Sequence, residues 1–368
     1  MLPPYVAGPL RLDPFRGVML EPRRVNDPAS ARLYARPYRA VAGRLTQWRD
    51  RGMLIKDLHP AIYLHEYTSG AITVRGLVGL LDVSQRAAKP EDGVVLPHEG
   101  IHPRQADELA DRMMQMQMNP APILLIHRAP EAVRNLMRET VAGRPNWQYD
   151  DRSGQGHRLW AIRDPDRIGA LHQAWRESTV VIADGHHRYA AYLRMQARKP
   201  GGAADRGLAM IVDQTETPLQ LGAIHRVLAS VRLDDLRQAA QGVGASVAES
   251  DQAGALRAVG PGQLASTDGK RWICVQLETS PATSMVEQLH HKILPALPRG
   301  PHGVSHHHDI DSALGHLRKV KGTAVFLPAP GVDHVLEVAA EHRLLPEKAT
   351  SFRPKPPSGV LLRVLADG

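Results

Sequence analysis

Cysteine, aromatic residues and long apolar runs are all scarce in this sequence of 368 residues. Cys274 is the single cysteine, which excludes a disulfide framework and a cysteine-based zinc cluster. Aromatic residues make up 4%, which argues against the ring platforms that hold single-stranded nucleic acid. No apolar run reaches the roughly 18 residues of a transmembrane helix, and residues 1–6 lack the basic start of a secretory signal. We therefore expect a cytoplasmic protein without a membrane partner.

The composition that remains is that of a globular protein. Hydrophobic residues make up 43% and charged residues 23%, and the length suggests two domains or one elaborated unit. The formal net charge is +8. This charge has two interpretations, namely affinity for nucleotides, phosphorylated products or nucleic acid, or a solvated arginine-rich surface. We favour the second for the bulk charge, because the basic residues are scattered.

Apolar periodicity predicts a mixed α+β architecture with a division near residue 216. A hairpin is expected over 61–81, helices over 103–118 and 189–197, and a buried strand over 179–183. The pattern restarts beyond 216, while 243–269 is rich in small residues and resembles surface. We expect residues 1–215 to form one region, with a phosphate-binding core at about 90–215. Residues 216–368 are expected to form a second α+β domain that completes the site.

The segment most indicative of chemistry is Asp184-Gly-His-His-Arg188, between a buried strand and a helix. Such a junction directs backbone N–H groups and the positive end of a helix dipole to one point, which favours anions. Gly185 permits close backbone approach, Arg188 suits bidentate phosphate contact, and His186 and His187 add donors or acids. Asp184 could hold Mg²⁺, accept a proton or cap the helix. The alternative is a capping aspartate followed by surface histidines.

A second candidate is the loop that contains His98 and Glu99, directly before the helix at 103. Glu99 could act as a general base on a substrate hydroxyl, with His98 beside it. The alternative is that Glu99 merely suits a helix N-terminus. From the residues alone both interpretations stay open.

Further polar segments carry weaker signals. Residues 346–358 interleave Lys348, Thr350 and Lys355 with prolines, which suits phosphate or carboxylate binding but equally a solvated connector. The runs 305–309, with His306 to His308, and His290-His291 suggest metal binding. However, adjacent residues rarely point at one ion, so an exposed polar loop is the favoured interpretation. The sequence contains neither a Walker loop nor a dinucleotide-binding fingerprint. A nucleotide would therefore have to be bound by a different kind of phosphate-binding motif.

Several of these blocks together resemble the domain-of-unknown-function 1015 family. They are His98-Glu99 with its helix, 182–189, and 345–355 followed by Ser358-Gly359, together with 48–52, 60–63, 75–77 and 224–228. The blocks follow the family order and span most of the chain. The family's central motif is in turn similar to that of the ParB/sulfiredoxin superfamily, which includes partition proteins and a free serine kinase.

This resemblance implies a ParB/sulfiredoxin-like nucleotide-binding core and a kinase. The similarity of the chain to the free serine kinase implies that Glu99 is the base. It also implies that Asp184, His186, His187 and Arg188 bind the phosphates and Mg²⁺. The implied ligands are ATP or ADP, Mg²⁺ and a small hydroxylated amino acid, with Lys348, Thr350 and Lys355 adding phosphate contacts. Sulfiredoxin chemistry is excluded, because His186 stands where that protein has its cysteine.

Two other functions stay open beside the kinase. One is a non-catalytic or weakly hydrolysing nucleotide-binding regulator. The other is a ParB-like nucleotide switch that binds DNA. The sequence argues against it, because no helix-turn-helix is recognisable after residue 200. The chain departs from the family pattern at two positions. Ile101 stands where threonine is usual, and Arg353 stands where an aromatic residue is usual. These departures suggest an acceptor other than the usual one.

Overall fold

The computed structural model describes residues 4–278 and 283–367. The chain divides into two compact units, residues 1–219 with 354–368, and residues 220–353. The sequence pattern predicts residues 354–368 in the second domain. They belong instead to the first unit, because the strand Arg363–Val364 pairs with Met118–Asn119.

The described residues contain ten α-helices. Helices α1 to α10 are Val41–Asp50, Pro103–Met116, Glu131–Ala142, Pro165–Ala174, His186–Arg198, Leu233–Gly242, Gln252–Ala258, Met285–Gln288, Ile310–Leu317 and Val332–Ala340. Helix α8 continues as a π-helix over Leu289–Ile293 and a 3₁₀ turn over Leu294–Ala296.

The same residues contain 21 strands. Strands β1 to β11 are Leu12–Asp13, Val18–Leu20, Leu54–Lys56, Ile62–Ser69, Ile72–Asp82, Val95–Leu96, Met118–Asn119, Ile123–His127, Trp147–Asp150, Gly156–Ile162 and Val180–Asp184. Strands β12 to β21 are Arg206–Asp213, Gln220–Gly222, His225–Ala229, Ser246–Ser250, Gln263–Thr267, Trp272–Gln276, Gly303–His307, Gly322–Phe326, Ser351–Arg353 and Arg363–Val364.

The first unit is organised by a nine-stranded mixed sheet, in the order β6-β11-β8-β12-β5-β4-β10-β9, with β1 on β5. The pairs β11/β6 and β12/β8 are parallel, and the predicted hairpin is the antiparallel pair β4/β5. Strands β8 and β12 are buried along nearly their whole length, as their apolar runs predict. Strand β11 is second from one edge of the sheet, with β6 on one side and β8 on the other.

The second unit has a six-stranded sheet in the order β15-β17-β16-β19-β14-β18. One face of it packs against α7 and α9 through a cluster that includes Val227, Trp272, Leu317 and Phe326. Strand β18 lies at one edge and pairs with β14. The mixed α+β architecture is thus confirmed, while the ParB/sulfiredoxin assignment of the core stays a prediction.

Residues 243–269 are mostly exposed or half-buried, as expected, although they also supply β15, α7 and β16, and Ala255 and Ala265 within them are fully buried. Two local predictions were wrong. The run expected as an exposed loop, 305–309, is for its first three residues the edge strand β18. The helix expected over 189–197 begins three residues earlier, at His186.

Candidate phosphate-binding site

The candidate site is the turn that joins β11 to α5. Strand β11 ends at Asp184, Gly185 has φ +97°, and α5 begins at His186. A Cβ atom on Gly185 would lie 3.0 Å from Nε and Nη2 of Arg188. Only glycine accommodates both the left-handed backbone and this close approach. The turn therefore places the first-turn N–H groups of α5, and its positive dipole end, at the tip of the strand.

Two cations hold the carboxylate of Asp184. Arg188 donates from Nη2 to Oδ2 at 2.5 Å, one helical turn along α5. Lys355 donates to the other oxygen, Oδ1. Burial alone would raise the pKa of Asp184, but the charge of Arg188 and the hydrogen bond from Lys355 hold that pKa below its ordinary value. Asp184 is therefore ionised, and its carboxylate orients the side chains of Arg188 and Lys355.

Arg188 is fixed from two sides. Its second guanidinium nitrogen, Nη1, donates to the carbonyl oxygen of Pro122, just before β8. The side chain is 22% exposed, and that of Lys355 is 54% exposed. A guanidinium that is oriented by two protein acceptors and still reaches the surface is suited to recognise an oxyanion, since little side-chain entropy is left to lose.

The expected magnesium role of Asp184 does not fit this arrangement. Both of its oxygens already accept hydrogen bonds from cations, so a metal ion would have to displace Arg188 or Lys355 and face the remaining one. Within residues 4–278 and 283–367, no group of three or more histidine, cysteine or acidic residues is arranged to hold a metal ion.

His98 and His186 form a buried contact beneath the turn. The backbone N–H of His98 donates to Nε2 of His186 at 3.4 Å, and their rings meet edge to face with centroids 4.7 Å apart. The His98 side chain is buried, and burial lowers its pKa to about 3 against an opposing hydrogen bond with the backbone of Ile182. A neutral imidazole without surface exposure cannot exchange protons with a substrate near neutral pH.

His102 and His187 make a second, parallel contact. The backbone N–H of His102 donates to Nε2 of His187 at 3.0 Å, and the two rings stack with centroids 5.8 Å apart. Each of two consecutive histidines of α5 therefore accepts a hydrogen bond at Nε2, which requires that nitrogen to lack a proton. The loop 98–102 is fastened to α5 at both ends.

Glu99 lies on this fastened loop. It directly follows His98 and is partly exposed, so its backbone is held next to α5 by the His98–His186 contact. The structure thus brings together Glu99, His98, His186 and His187. Sequence reasoning missed the parts played by His102 and the Pro122 carbonyl, because backbone groups leave no trace in residue type.

The remaining predicted residues divide between the two units. Lys355 lies in the first unit and contacts Asp184. Lys348 and Thr350 lie in the second unit, on the segment between α10 and β20. Their expected contact with nucleotide phosphate stays a prediction.

The chain matches the family model described as a protein of unknown function, DUF1015, over residues 12–289. It belongs to this family. The match covers every predicted site residue except Lys348, Thr350 and Lys355, and it confirms the resemblance drawn from the sequence blocks. No curated protein matches the chain.

Solved structures with a similar fold were also found. A free serine kinase variant in complex with AMP is 14% identical, with a TM-score of 0.44 over 75% of this chain and 91% of that chain. SbnI with a C-terminal truncation, from Staphylococcus aureus, is 14% identical, with a TM-score of 0.44 over 78% and 88%. A conserved hypothetical protein from Pyrococcus furiosus is 14% identical, with a TM-score of 0.40 over 75% and 94%. At these scores no functional argument follows from the likeness.

None of the helices in the described part of the chain is both long and apolar enough to cross a membrane.

Proposed function

We propose that this protein is a nucleotide-dependent kinase. It would transfer a phosphoryl group from ATP or ADP to the hydroxyl of a small metabolite, with free serine or a related amino acid as the first candidate acceptor. The observation that carries the proposal is the convergence of Arg188, Lys355 and the N-terminus of α5 on the strand end at Asp184. Together these groups supply more positive charge than the Asp184 carboxylate offsets, and such positive potential stabilises a phosphoryl group in transfer.

The phosphate contacts follow from this geometry. The backbone at Gly185 and the first-turn N–H groups of α5 would receive phosphate oxygens. The guanidinium of Arg188 and the ammonium of Lys355 would neutralise the charge on the phosphoryl group in transfer. Asp184 would act by aligning these two cations and would not be a metal ligand. A magnesium ion would then be held mainly by the nucleotide's own phosphates.

Glu99 is the proposed base. Its carboxylate would accept the proton of the acceptor hydroxyl while that oxygen forms a bond to the terminal phosphorus. The bond between that phosphorus and the bridging oxygen breaks, and the nucleotide leaves shortened by one phosphate. His98 and His186 are buried against each other, so we assign them a positioning role in place of the catalytic and phosphate-binding roles expected. His187 would hold the far end of the same loop.

The test is nucleotide binding by calorimetry with ATP, ADP and CTP, using Arg188→Ala and a matched control, Arg194→Ala. Arg194 also lies on α5, is 24% exposed and pairs with a carboxylate, that of Asp107, at 2.7 Å. We expect saturable binding that Arg188→Ala weakens at least tenfold and Arg194→Ala leaves within about twofold. Equal effects of the two substitutions, or no binding by the wild-type protein, would overturn the proposal.

Turnover separates the kinase from the alternatives. Conversion of nucleotide that depends on added serine or another hydroxy amino acid, followed by ³¹P spectroscopy, supports a kinase. Binding without turnover across such acceptors would instead indicate a nucleotide-binding regulator. Steeply salt-dependent DNA binding would be needed to support a partition-like switch.

A further inference from the structure

A cavity of about 320 Å³ lies at one end of the six-stranded sheet of the second unit. Its walls are formed by residues 261–262, which precede β16, by residues 328–331, which join β19 to α10, and by side chains of α8 and α10. Strands β16 and β19 are antiparallel neighbours, so the start of one lies beside the end of the other. A cavity of this volume is in the range of small-molecule binding sites.

Much of the cavity wall is apolar and stiff. Three prolines and two larger apolar residues line it, namely Pro261, Pro328, Pro330, Met285 and Val286. A proline ring fixes the backbone φ angle and has little side-chain freedom, so such a wall needs little ordering when a ligand binds. The apolar atoms favour a ligand with an apolar body, since contact removes both surfaces from water.

Two polar atoms of residues in the same wall are buried and, among the residues that the structure describes, have no hydrogen-bond partner. They are Oε1 of Gln288 and Nδ1 of His334. Gln288 is 3% exposed, and its amide nitrogen donates to the carbonyl oxygen of Glu278 at 3.4 Å. The amide oxygen is therefore the end that lacks a partner. A buried acceptor in this state gains free energy from any donor that reaches it.

The carboxylate of Glu287 fixes which nitrogen of His334 carries a proton. Its Oε2 lies 2.7 Å from Nε2 of His334 and accepts from the backbone N–H of Ser284 at 2.8 Å, while Oε1 pairs with Arg343 at 3.4 Å. Burial would raise the pKa of Glu287, but the hydrogen bonds from His334 and Ser284 lower it to about 2. The ionised carboxylate only accepts, so Nε2 donates and Nδ1 of the neutral ring bears a lone pair.

Both unpartnered atoms are therefore acceptors, and they lie on either side of one carboxylate. Gln288 follows Glu287 directly in the chain, and His334 is hydrogen-bonded to Glu287. A ligand that satisfies the two atoms must bring at least two hydrogens on nitrogen or oxygen. A primary amide has two N–H groups on one nitrogen, and a primary ammonium has three.

We propose that this cavity binds a small molecule with a primary amide or primary ammonium group at the end of a short apolar chain. The N–H groups donate to Oε1 of Gln288 and Nδ1 of His334, and the chain packs against the prolines and Val286. A carboxylate is a poor occupant, because its oxygens would meet two acceptors.

The site lies within the second unit and does not depend on the proposed kinase function. Butyramide, butylammonium and butyrate each have four carbon atoms and differ in the end group. Each is titrated into the full-length protein and followed by saturation-transfer NMR. The titrations are repeated with Gln288→Leu, which removes one acceptor, and with Ala329→Leu, which narrows the cavity and leaves both acceptors in place. The control is Gln241→Leu, at an exposed position on α6.

We expect saturable binding of butyramide, butylammonium or both, at least tenfold tighter than that of butyrate. Gln288→Leu and Ala329→Leu should each weaken it about tenfold or more, whereas Gln241→Leu should leave it within about twofold. The tighter of the two ligands identifies the end group that the site selects.

Three results would overturn the proposal. They are the absence of saturable binding of both nitrogen compounds, binding of butyrate as tight as theirs, and binding that neither Gln288→Leu nor Ala329→Leu weakens. Thermal unfolding of each variant beside the wild-type protein shows that a loss of binding is not a loss of fold. Gln288→Leu should unfold at the wild-type temperature or above it, because it removes a buried acceptor that has no partner.

Discussion

His187 accepts a hydrogen bond from the backbone N–H of His102 across 3.0 Å, three residues after Glu99. The neighbouring pair, His186 and the N–H of His98, lies one residue before Glu99. The proposed base is therefore bracketed by two contacts to the first turn of α5. Because that turn also begins the proposed phosphate site, one helix end would set the distance between base and phosphate.

Substitution of His187 by alanine should consequently affect turnover more than binding. Losing the His102 contact frees one end of the loop, and misplacement of a reacting group by about 1 Å can cost on the order of a hundredfold in rate. We expect kcat to fall about tenfold or more while nucleotide affinity stays within about threefold. The control is His172→Ala, since His172 also bonds to a backbone group, the Leu12 carbonyl at 2.8 Å. A larger loss of affinity than of kcat would contradict this account.

Glu99→Gln tests the base itself. The amide keeps the shape of the side chain but cannot accept the hydroxyl proton, so turnover should fall about 10²- to 10⁴-fold while nucleotide binding is retained. Initial rates with saturating acceptor, beside binding titrations, measure both effects. Glu108→Gln is the control, because Glu108 is exposed on α2 and pairs with Arg104. Full activity of Glu99→Gln would remove Glu99 from the mechanism.

Gly185→Ala should lower both the free energy of unfolding and the affinity for nucleotide. A side chain at φ +97° is strained by about 1–2 kcal/mol, and the new Cβ would also press on the Arg188 guanidinium at 3.0 Å. Gly201→Ala is the matched control, since Gly201 has φ +80° but nothing within 4 Å of the added atom. Urea unfolding should show a destabilisation in both variants, and nucleotide titration should show a loss of affinity in Gly185→Ala alone. Unchanged binding by Gly185→Ala would show that the turn tolerates displacement of Arg188.

Acidification should destabilise the first unit through its buried histidines, among them His98 and His127. Burial lowers the pKa of His98 to about 3 and that of His127 to about 4, from 6.5 in the unfolded chain. Their contribution to stability is complete above pH 6.5. It is lost as the pH falls toward those values, because the unfolded chain takes up protons that the folded chain does not. Each group should cost up to about 1.4 kcal/mol per pH unit in that window.

Urea unfolding at pH 7.5, 6 and 5 measures this slope. His98→Gln should give a shallower decline than the wild-type protein, whereas His59→Gln should not, since His59 is exposed. Parallel declines in all three proteins would mean that His98 is not the group that titrates.

The junction between β11 and α5, where the candidate site lies, was predicted from the sequence more accurately than the surrounding elements. The run Val180–Ala183 is apolar and mostly β-branched, which favours a buried strand. Gly185 follows Asp184 and favours a turn. Strand and turn are therefore predicted by the local residues. The helix start was placed too late because histidine is a weak helix former. Its first turn is stabilised instead by tertiary contacts with His98 and His102.

Longer-range features could not be predicted in this way. Nothing in the residues around Lys355 indicates that its ammonium meets Asp184, because the pairing is decided by where the chain returns. The buried strand β16 within residues 243–269 was not predicted, because small side chains mark both exposed loops and closely packed layers, and only the surrounding sheet distinguishes the two. The edge strand with His306 was missed for a related reason, since polar residues are common on edge strands.

The return of residues 354–368 to the first unit has a consequence for synthesis. When residue 219 has left the ribosome, β7 still lacks the partner strand Arg363–Val364, and Asp184 still lacks Lys355. The intervening 134 residues of the second unit, 220–353, must be translated before either contact can form. The nascent first unit therefore lacks one residue of the proposed anion site at that stage, and a chain that stalls before residue 355 cannot complete the contact with Asp184.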